Sequence, residues 1–74
     1  MIALETMQGS SQIAATGYDP VTHVLAVRFH SGDAVFHYKN VPPDKAASLR
    51  KAESPGKYLH SAIKGRYEYE RVSD

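Results

Sequence analysis

Hydrophobic and polar residues alternate with a period of two along His23 to Lys39, HVLAVRFHSGDAVFHYK. The alternation is interrupted at Ser31-Gly32, so it predicts two strands that meet in an antiparallel β-hairpin. With these two residues as the loop, Val27 lies opposite Phe36. We expect the rest of the chain to pack around this hairpin.

The predicted register gives the two faces of the hairpin opposite characters. One face is apolar and is expected to be buried: Leu25, Val27, Phe29, Ala34, Phe36 and Tyr38. The other face, called the outer face below, carries Arg28, His30, Asp33, His37 and Lys39 with Val24, Ala26 and Val35. The outer face is therefore expected to be hydrated and basic.

An uncharged segment before the hairpin predicts one more strand, from Gln12 to Tyr18. An Asp-Pro pair follows it and favours a turn. A five-residue connection or a β-bulge is needed to keep the large aliphatic residue of this strand in the core, and it brings Ile13 opposite Phe29 and Ala15 opposite Val27.

Two prolines end the third strand, and two short helices are predicted after it. The first spans Pro43 to Glu53, with Lys45, Arg50 and Lys51 solvated. The second starts after Ser54 and stops at Gly65, and it has the better apolar stripe. That stripe consists of Tyr58, Leu59, Ala62 and Ile63.

The tail from Arg66 to Val72 alternates again and could add a short fourth edge strand. Tyr67, Tyr69 and Arg71 would then lie on one side, and Glu68 and Glu70 on the other. The predicted fold is α+β: a small antiparallel three-stranded sheet followed by two short helices on one face. Residues 10–72 are expected to form one domain, and residues 1–9 to be disordered or loosely held.

Composition narrows the function classes only slightly. The 74 residues include nine Lys and Arg, eight Asp and Glu, and no cysteine. The absence of cysteine excludes disulfides and thiolate zinc sites. The N-terminal residues have neither a basic segment nor a long apolar run, so we expect no signal peptide, no membrane partner and a cytoplasmic location.

Several short motifs in a fixed order resemble the KTSC domain family, which is named for the C-terminal extension of some lysyl-tRNA synthetases. They are Ser10-Ser11-x-Ile13, Gly17-Tyr18-Asp19, Leu25-x-Val27-x-Phe29-x-Ser31-Gly32, Val41-Pro42, Ser54-x-Gly56-x-Tyr58, Ile63 and Tyr67-x-Tyr69. Family members are similar in having a central Tyr-x-Tyr, which is Phe36-His37-Tyr38 here. The missing hydroxyl favours a packing role for Phe36. The synthetase association implies RNA binding.

The candidate ligand is therefore RNA or another single-stranded nucleic acid, since fixed cations contact phosphates and exposed aromatic rings stack on bases. The candidate residues are Arg28, His30, His37, Lys39, Lys57, Lys64, Arg66, Tyr67, Tyr69 and Arg71. The competing interpretation is that the cations are ordinary solvated charges and that the tyrosines pack against the sheet. A second functional hypothesis is a protein-interaction module that acts through an open sheet edge or by homodimerisation.

Metal binding and catalysis have little support in the sequence. His37 is expected across from Ala26, about 13 Å along the strand from His30 at about 3.3 Å per residue, so the two imidazoles cannot share an ion. A pair of His30 with Asp33 would lie at an exposed hairpin tip without an enclosing pocket. We therefore expect no metal, no cofactor and no enzymatic activity.

Overall fold

The five strands of the chain form one antiparallel sheet in sequence order, seen in a computed structural model that describes residues 2–7 and 12–72. The strands are β1 (Glu5–Thr6), β2 (Ile13–Asp19), β3 (Val24–Phe29), β4 (Val35–Tyr38) and β5 (Tyr69–Arg71). The helices are α1 (Pro43–Lys51) and α2 (Pro55–Tyr58), and α2 continues as a π-helical turn (Leu59–Ile63). The α+β class is confirmed. The predicted strand count of three plus one was too low.

The central hairpin has the predicted register, with Val27 opposite Phe36 and Ala26 opposite His37. Its loop is longer than the predicted two residues, because Ser31–Asp33 forms a turn of 3-10 helix. Gly32 has a φ of 70° there, a conformation that glycine adopts without steric cost.

Burial agrees with the predicted two-sidedness at most positions of the hairpin, but Ala26 of the outer face is only 1% exposed, so that face is not hydrated throughout. Leu25, Val27 and Tyr38 are at most 1% exposed, while Arg28 is exposed on the outer face. Helix α1 packs on β2 and on the π-helical turn, and the two helical segments contribute most of the remaining core. Their fully buried side chains are Leu49, Leu59 and Ile63. The apolar stripe predicted for the second helix is thus confirmed, since its Leu59 and Ile63 are fully buried.

A β-bulge in β2 directs side chains on both sides of the bulge into the core. Ile13 lies opposite Phe29 as predicted, but the register then shifts before Ala15. Thr16 therefore takes the place opposite Val27 that was predicted for Ala15. Because the bulge adds one residue to the strand, Ile13 and Thr16 both become buried.

Residues 2–7, called the N-terminal strap, lie along the free edge of β2. We expected this part of the chain to be loosely held, whereas Glu5–Thr6 pairs with β2 and Met7 joins the core. A Cβ on Gly17 would collide with the carbonyl oxygen of Ala3, so glycine allows the strap to approach. Ser10 and Ser11, which belong to the motifs that resemble the KTSC family, lie outside the described residues.

Arg50 is exposed, as predicted, but its guanidinium also contacts the sheet. Its Nη1 donates to Thr16 Oγ1 at 2.9 Å, and its Nη2 lies 3.2 Å from Glu5 Oε2. The hydrophobic pattern could not reveal this contact, since it joins residues 34 positions apart.

We expect Leu49→Ala to lower the free energy of unfolding by about 2–5 kcal/mol, because it leaves a cavity under α1. The neighbouring exposed residue provides a control: Ser48→Ala should change that free energy by no more than about 0.5 kcal/mol. Urea denaturation of the two variants measures both values. Equal stabilities would contradict the assigned packing of α1.

Candidate nucleic-acid interface

Four aromatic rings from β3, β4 and β5 lie together on the side of the sheet that carries the helices. We call Phe29, Phe36, Tyr38 and Tyr69 the aromatic cluster. The rings of Phe36 and Tyr69 are stacked, with centroids 5.5 Å apart and planes at 2°, while Phe29 meets Phe36 edge-on at 5.6 Å. Antiparallel pairing of β4 with β5 places Tyr69 opposite Tyr38 and so brings the C-terminal tyrosine to this side.

Exposure increases across the cluster from β4 to β5. Tyr38 is fully buried, Phe36 is partly buried, and Tyr69 is 55% exposed. The exposure increases because the helices do not cover the whole sheet. Helix α1 packs on β2, and the residues of β5 remain exposed. Tyr69 therefore offers an exposed ring whose position is fixed by the stacked ring of Phe36.

A cleft of about 390 Å³ lies beside the cluster, between the tip of the hairpin and the π-helical turn. Phe29 and Phe36 form its apolar part, and His60 and Lys64 stand at its helical wall. A second recess, of about 500 Å³, is lined by residues 65–69. In that recess Arg66 is oriented by its Nε–H, which donates to the Ser61 carbonyl at 3.1 Å. Cationic side chains thus border the aromatic cluster on its helical side.

The structure does not bring the ten predicted candidate residues onto one surface. Arg28, His37 and Lys39 belong to the outer face, as predicted. Tyr69 and Arg71 lie on the opposite side, because they pair with Tyr38 and Phe36. Exposed residues of α2, its π-helical turn and the segment after it supply the other cations of that side: Lys57, Lys64 and Arg66. His30 is exposed at the end of β3, and Tyr67 packs partly against the core.

Acidic residues of β5 reduce the positive charge of the outer face. Glu70 lies directly opposite His37 in the register of β4 with β5. Glu68 accepts a backbone hydrogen bond from Lys39, so its residue is also next to an outer-face cation. The outer face is consequently less basic than the hairpin sequence alone predicts.

The sequence analysis missed Phe29, Phe36 and Tyr38 as members of the interface, because it assigned all three to the core, and Phe29 and Phe36 are only partly buried. Phe36 remains partly exposed although Tyr69 of β5 stacks on it, because the helices do not cover this part of the sheet completely. The alternation of Tyr69 and Arg71 in the tail was the available signal, since it placed an aromatic and a cation on one side of a possible edge strand.

Burial shifts the pKa of Tyr38, the inner tyrosine of the aromatic cluster. The hydroxyl of Tyr38 has no hydrogen-bond partner among the described residues. Burial, and then the neighbouring Tyr69, raise the pKa of Tyr38 above the ordinary value. By contrast the Tyr18 hydroxyl, two strands away in the same cross-strand row, donates to the Val41 carbonyl.

Within residues 2–7 and 12–72, no three His, Asp or Glu side chains are grouped closely enough to hold a metal ion. The same part of the chain contains no helix with the length and apolar character needed to cross a bilayer.

Comparison with known proteins identifies the family. The model of the KTSC domain matches residues 9–67. The chain belongs to the KTSC domain family. A KTSC domain protein from Yersinia pestis of known crystal structure superposes with a TM-score of 0.90 at 25% identity, covering 99% of this chain and all of that one.

Two kinds of KTSC relatives are found. A protein from Tsukamurella paurometabola is 43% identical over 78% of this chain and 85% of its own, and an uncharacterised protein from Stutzerimonas stutzeri is 38% identical over 85% and 89%. A lysine–tRNA ligase from Nostoc is 40% identical over 85% of this chain, which spans only 11% of the ligase. The family thus includes small proteins and a segment of a much larger enzyme.

Tyr38→Phe should leave the free energy of unfolding unchanged or raise it by about 1 kcal/mol, because it removes a buried hydroxyl without a partner. Tyr18→Phe removes a hydroxyl that donates a hydrogen bond and should lower that free energy by about 0.5–1.5 kcal/mol. Urea denaturation of both variants provides the test. A large loss in Tyr38→Phe would show that its hydroxyl is bonded after all.

Stability should also decline at alkaline pH. The pKa of Tyr38 is raised in the folded protein, whereas tyrosines of the unfolded chain titrate near about 10. The unfolded chain therefore loses this proton first, and the free energy of unfolding falls as pH rises above about 10. Unfolding measured between pH 9 and about 11.5 should show a shallower fall in Tyr38→Phe than in the wild type.

Proposed function

We propose that this KTSC domain is a non-enzymatic module that binds single-stranded nucleic acid, with RNA as its ligand, through the aromatic cluster and the cations beside it. The observation that carries the proposal is the exposed ring of Tyr69, stacked on Phe36 and left open by the helices. A cytoplasmic location, as inferred from the sequence, agrees with such a ligand.

The geometry supports stacking because the ring is already immobilised. A base that stacks on an aromatic side chain contributes about 1–3 kcal/mol, and the contribution does not depend strongly on which base it is. Phe36 holds the Tyr69 ring in place, so little side-chain freedom remains to be lost on binding. The exposed ring can therefore receive a base without rearrangement of the sheet.

The charge distribution supports the same side of the domain. Lys64 lies at the cleft beside Phe36, and Arg66 lies in the recess that contains Tyr69. A nucleotide has its phosphate next to its base, so cations within reach of a stacking ring can contact the backbone. Net charge of +1 for the whole chain is no obstacle, because the relevant charge is local.

The relatives support RNA over DNA. The related ligase segment belongs to an enzyme named for tRNA, and 40% identity links that segment to this chain. A segment of an enzyme named for tRNA has RNA in its immediate surroundings. We infer that RNA binding is a capacity of the domain itself and that this chain shares it.

The direct test is anisotropy of a fluorescent single-stranded oligoribonucleotide, measured at two salt concentrations. Tyr69→Leu keeps an apolar side chain but removes the stacking ring, and it should weaken binding by about 5- to 150-fold. Lys64→Ala should reduce the slope of log affinity against log salt by about 0.7, the value of one phosphate contact in a single strand. Absence of binding at low salt would refute the proposal.

The outer face provides the matched control. Arg28→Ala with Lys39→Ala removes two cations from the other side of the sheet and should leave affinity within about twofold of the wild type if the aromatic cluster is the interface. Should this pair weaken binding while Tyr69→Leu does not, the ligand lies on the outer face of the hairpin instead.

An interaction with another protein is the second candidate function, and the exposed edge strand favours it. All three residues of β5 are exposed, and the strand pairs with β4 on one side. Such an edge can accept a strand from a partner or from a second copy. Sedimentation over a range of concentrations tests the homodimer, and a profile that stays monomeric contradicts it.

A further inference from the structure

The opposite edge of the sheet carries a second groove that the nucleic-acid proposal does not use. The N-terminal strap runs along β2, where two of its residues pair with the strand and the Met7 N–H donates to the Ala14 carbonyl at 2.9 Å. Beside the strap a groove of about 600 Å³ lies between β2 and α1. Residues of the strap, of β2 and of α1 all line this groove.

Arg50 gives this edge a cation that is held in place independently of the strap. Its Nη1 bonds to Thr16 Oγ1, and Thr16 is only 1% exposed. Its Nη2 pairs separately with the Glu5 carboxylate, at 3.2 Å. Because the bond to Thr16 does not involve the strap, the guanidinium stays directed at the edge when the strap is absent.

Gly17 gives the same edge room for a second main chain. Its missing side chain is the space into which the carbonyl of Ala3 fits, and Ile2 is close to the same point. Any larger residue would keep an extended chain away from β2. The edge therefore combines backbone groups that pair with an added strand, space for a peptide backbone and a positive charge, which are the requirements for adding an acidic strand.

The polar contacts of the strap with this edge are few, and Met7 at its end is buried in the core. The strand of the strap is two residues long, and its ion pair is exposed, with the Glu5 side chain 74% accessible. Exposed ion pairs contribute little to stability. Covalent attachment, which makes the local concentration of the strap high, accounts for much of its occupancy. The family match over residues 9–67 includes Thr16, Gly17 and Arg50 and does not include the strap.

We propose that this edge of β2 is an acceptor for an extended peptide segment of a partner protein, which carries an acidic residue at the place of Glu5. The strap is the resident occupant, and the partner segment replaces it. The partner adds a strand to the sheet through backbone hydrogen bonds, and its carboxylate pairs with Arg50. This acceptor is independent of the aromatic cluster, so it does not rest on nucleic-acid binding.

The test uses the full chain and a fluorescent peptide with the strap sequence of residues 2–7, IALETM. Glu5→Lys places a cation near Arg50 and should weaken the hold of the strap, so this variant should bind the peptide about two- to fivefold more tightly than the wild type. Binding should shift the amide resonances of Thr16 and Gly17. A peptide with lysine in place of its glutamate should bind the variant about two- to fivefold more weakly than the strap peptide.

A charge exchange provides the matched control. Glu5→Lys combined with Arg50→Glu restores the pair within the chain and should return peptide affinity to the wild-type level. Circular dichroism verifies that each variant is folded, and Glu5→Ala serves in place of Glu5→Lys if the lysine disturbs the fold. Equal affinity for the two peptides, or no gain in Glu5→Lys, would overturn the proposal, and nucleic-acid binding should be unchanged in either case.

Discussion

Burial of one face of the β3–β4 hairpin is the constraint on which the rest of the structure depends. Val27 and Tyr38 lose all contact with water there, and the side-chain period of a strand then forces the intervening residues to the other face. A shift of one residue in the register would exchange the two faces. The bulge in β2 is a consequence of the same constraint, because it returns Ile13 to the core at the end of the strand.

The helices that cover this face are short, and the sheet is wider than they are. Helix α1 has nine residues, and the second helical segment is also short. Together they cover the inner strands of the sheet, while β5 stays exposed. The aromatic cluster is the result of this mismatch in width. Tyr69 lies on an edge strand that the helices do not cover. Its ring therefore stacks on Phe36 and remains more than half exposed.

The two edges of the sheet are completed in different ways. At one edge the strap covers β2 and places Glu5 beside Arg50. At the other edge β5 contributes charged residues, which discourage uncontrolled strand pairing. The two proposed binding surfaces arise at these edges, since an edge is where backbone or ring surface is left without a permanent partner.

The sequence by itself determined the hairpin, its register, the start of both helical segments and the α+β class, because these depend on local period, proline and glycine. Helix α1 ends at Lys51, two residues before the predicted Glu53. The sequence did not determine β1, the contact of Arg50 with Thr16, or the partial exposure of Phe36. Each of these depends on residues far apart in the chain that meet only after the sheet has formed. Only the tertiary structure could decide that Tyr69 and Arg71 lie on the opposite side of the sheet from Arg28 and Lys39, because the side that a tail presents is set by the strand it pairs with.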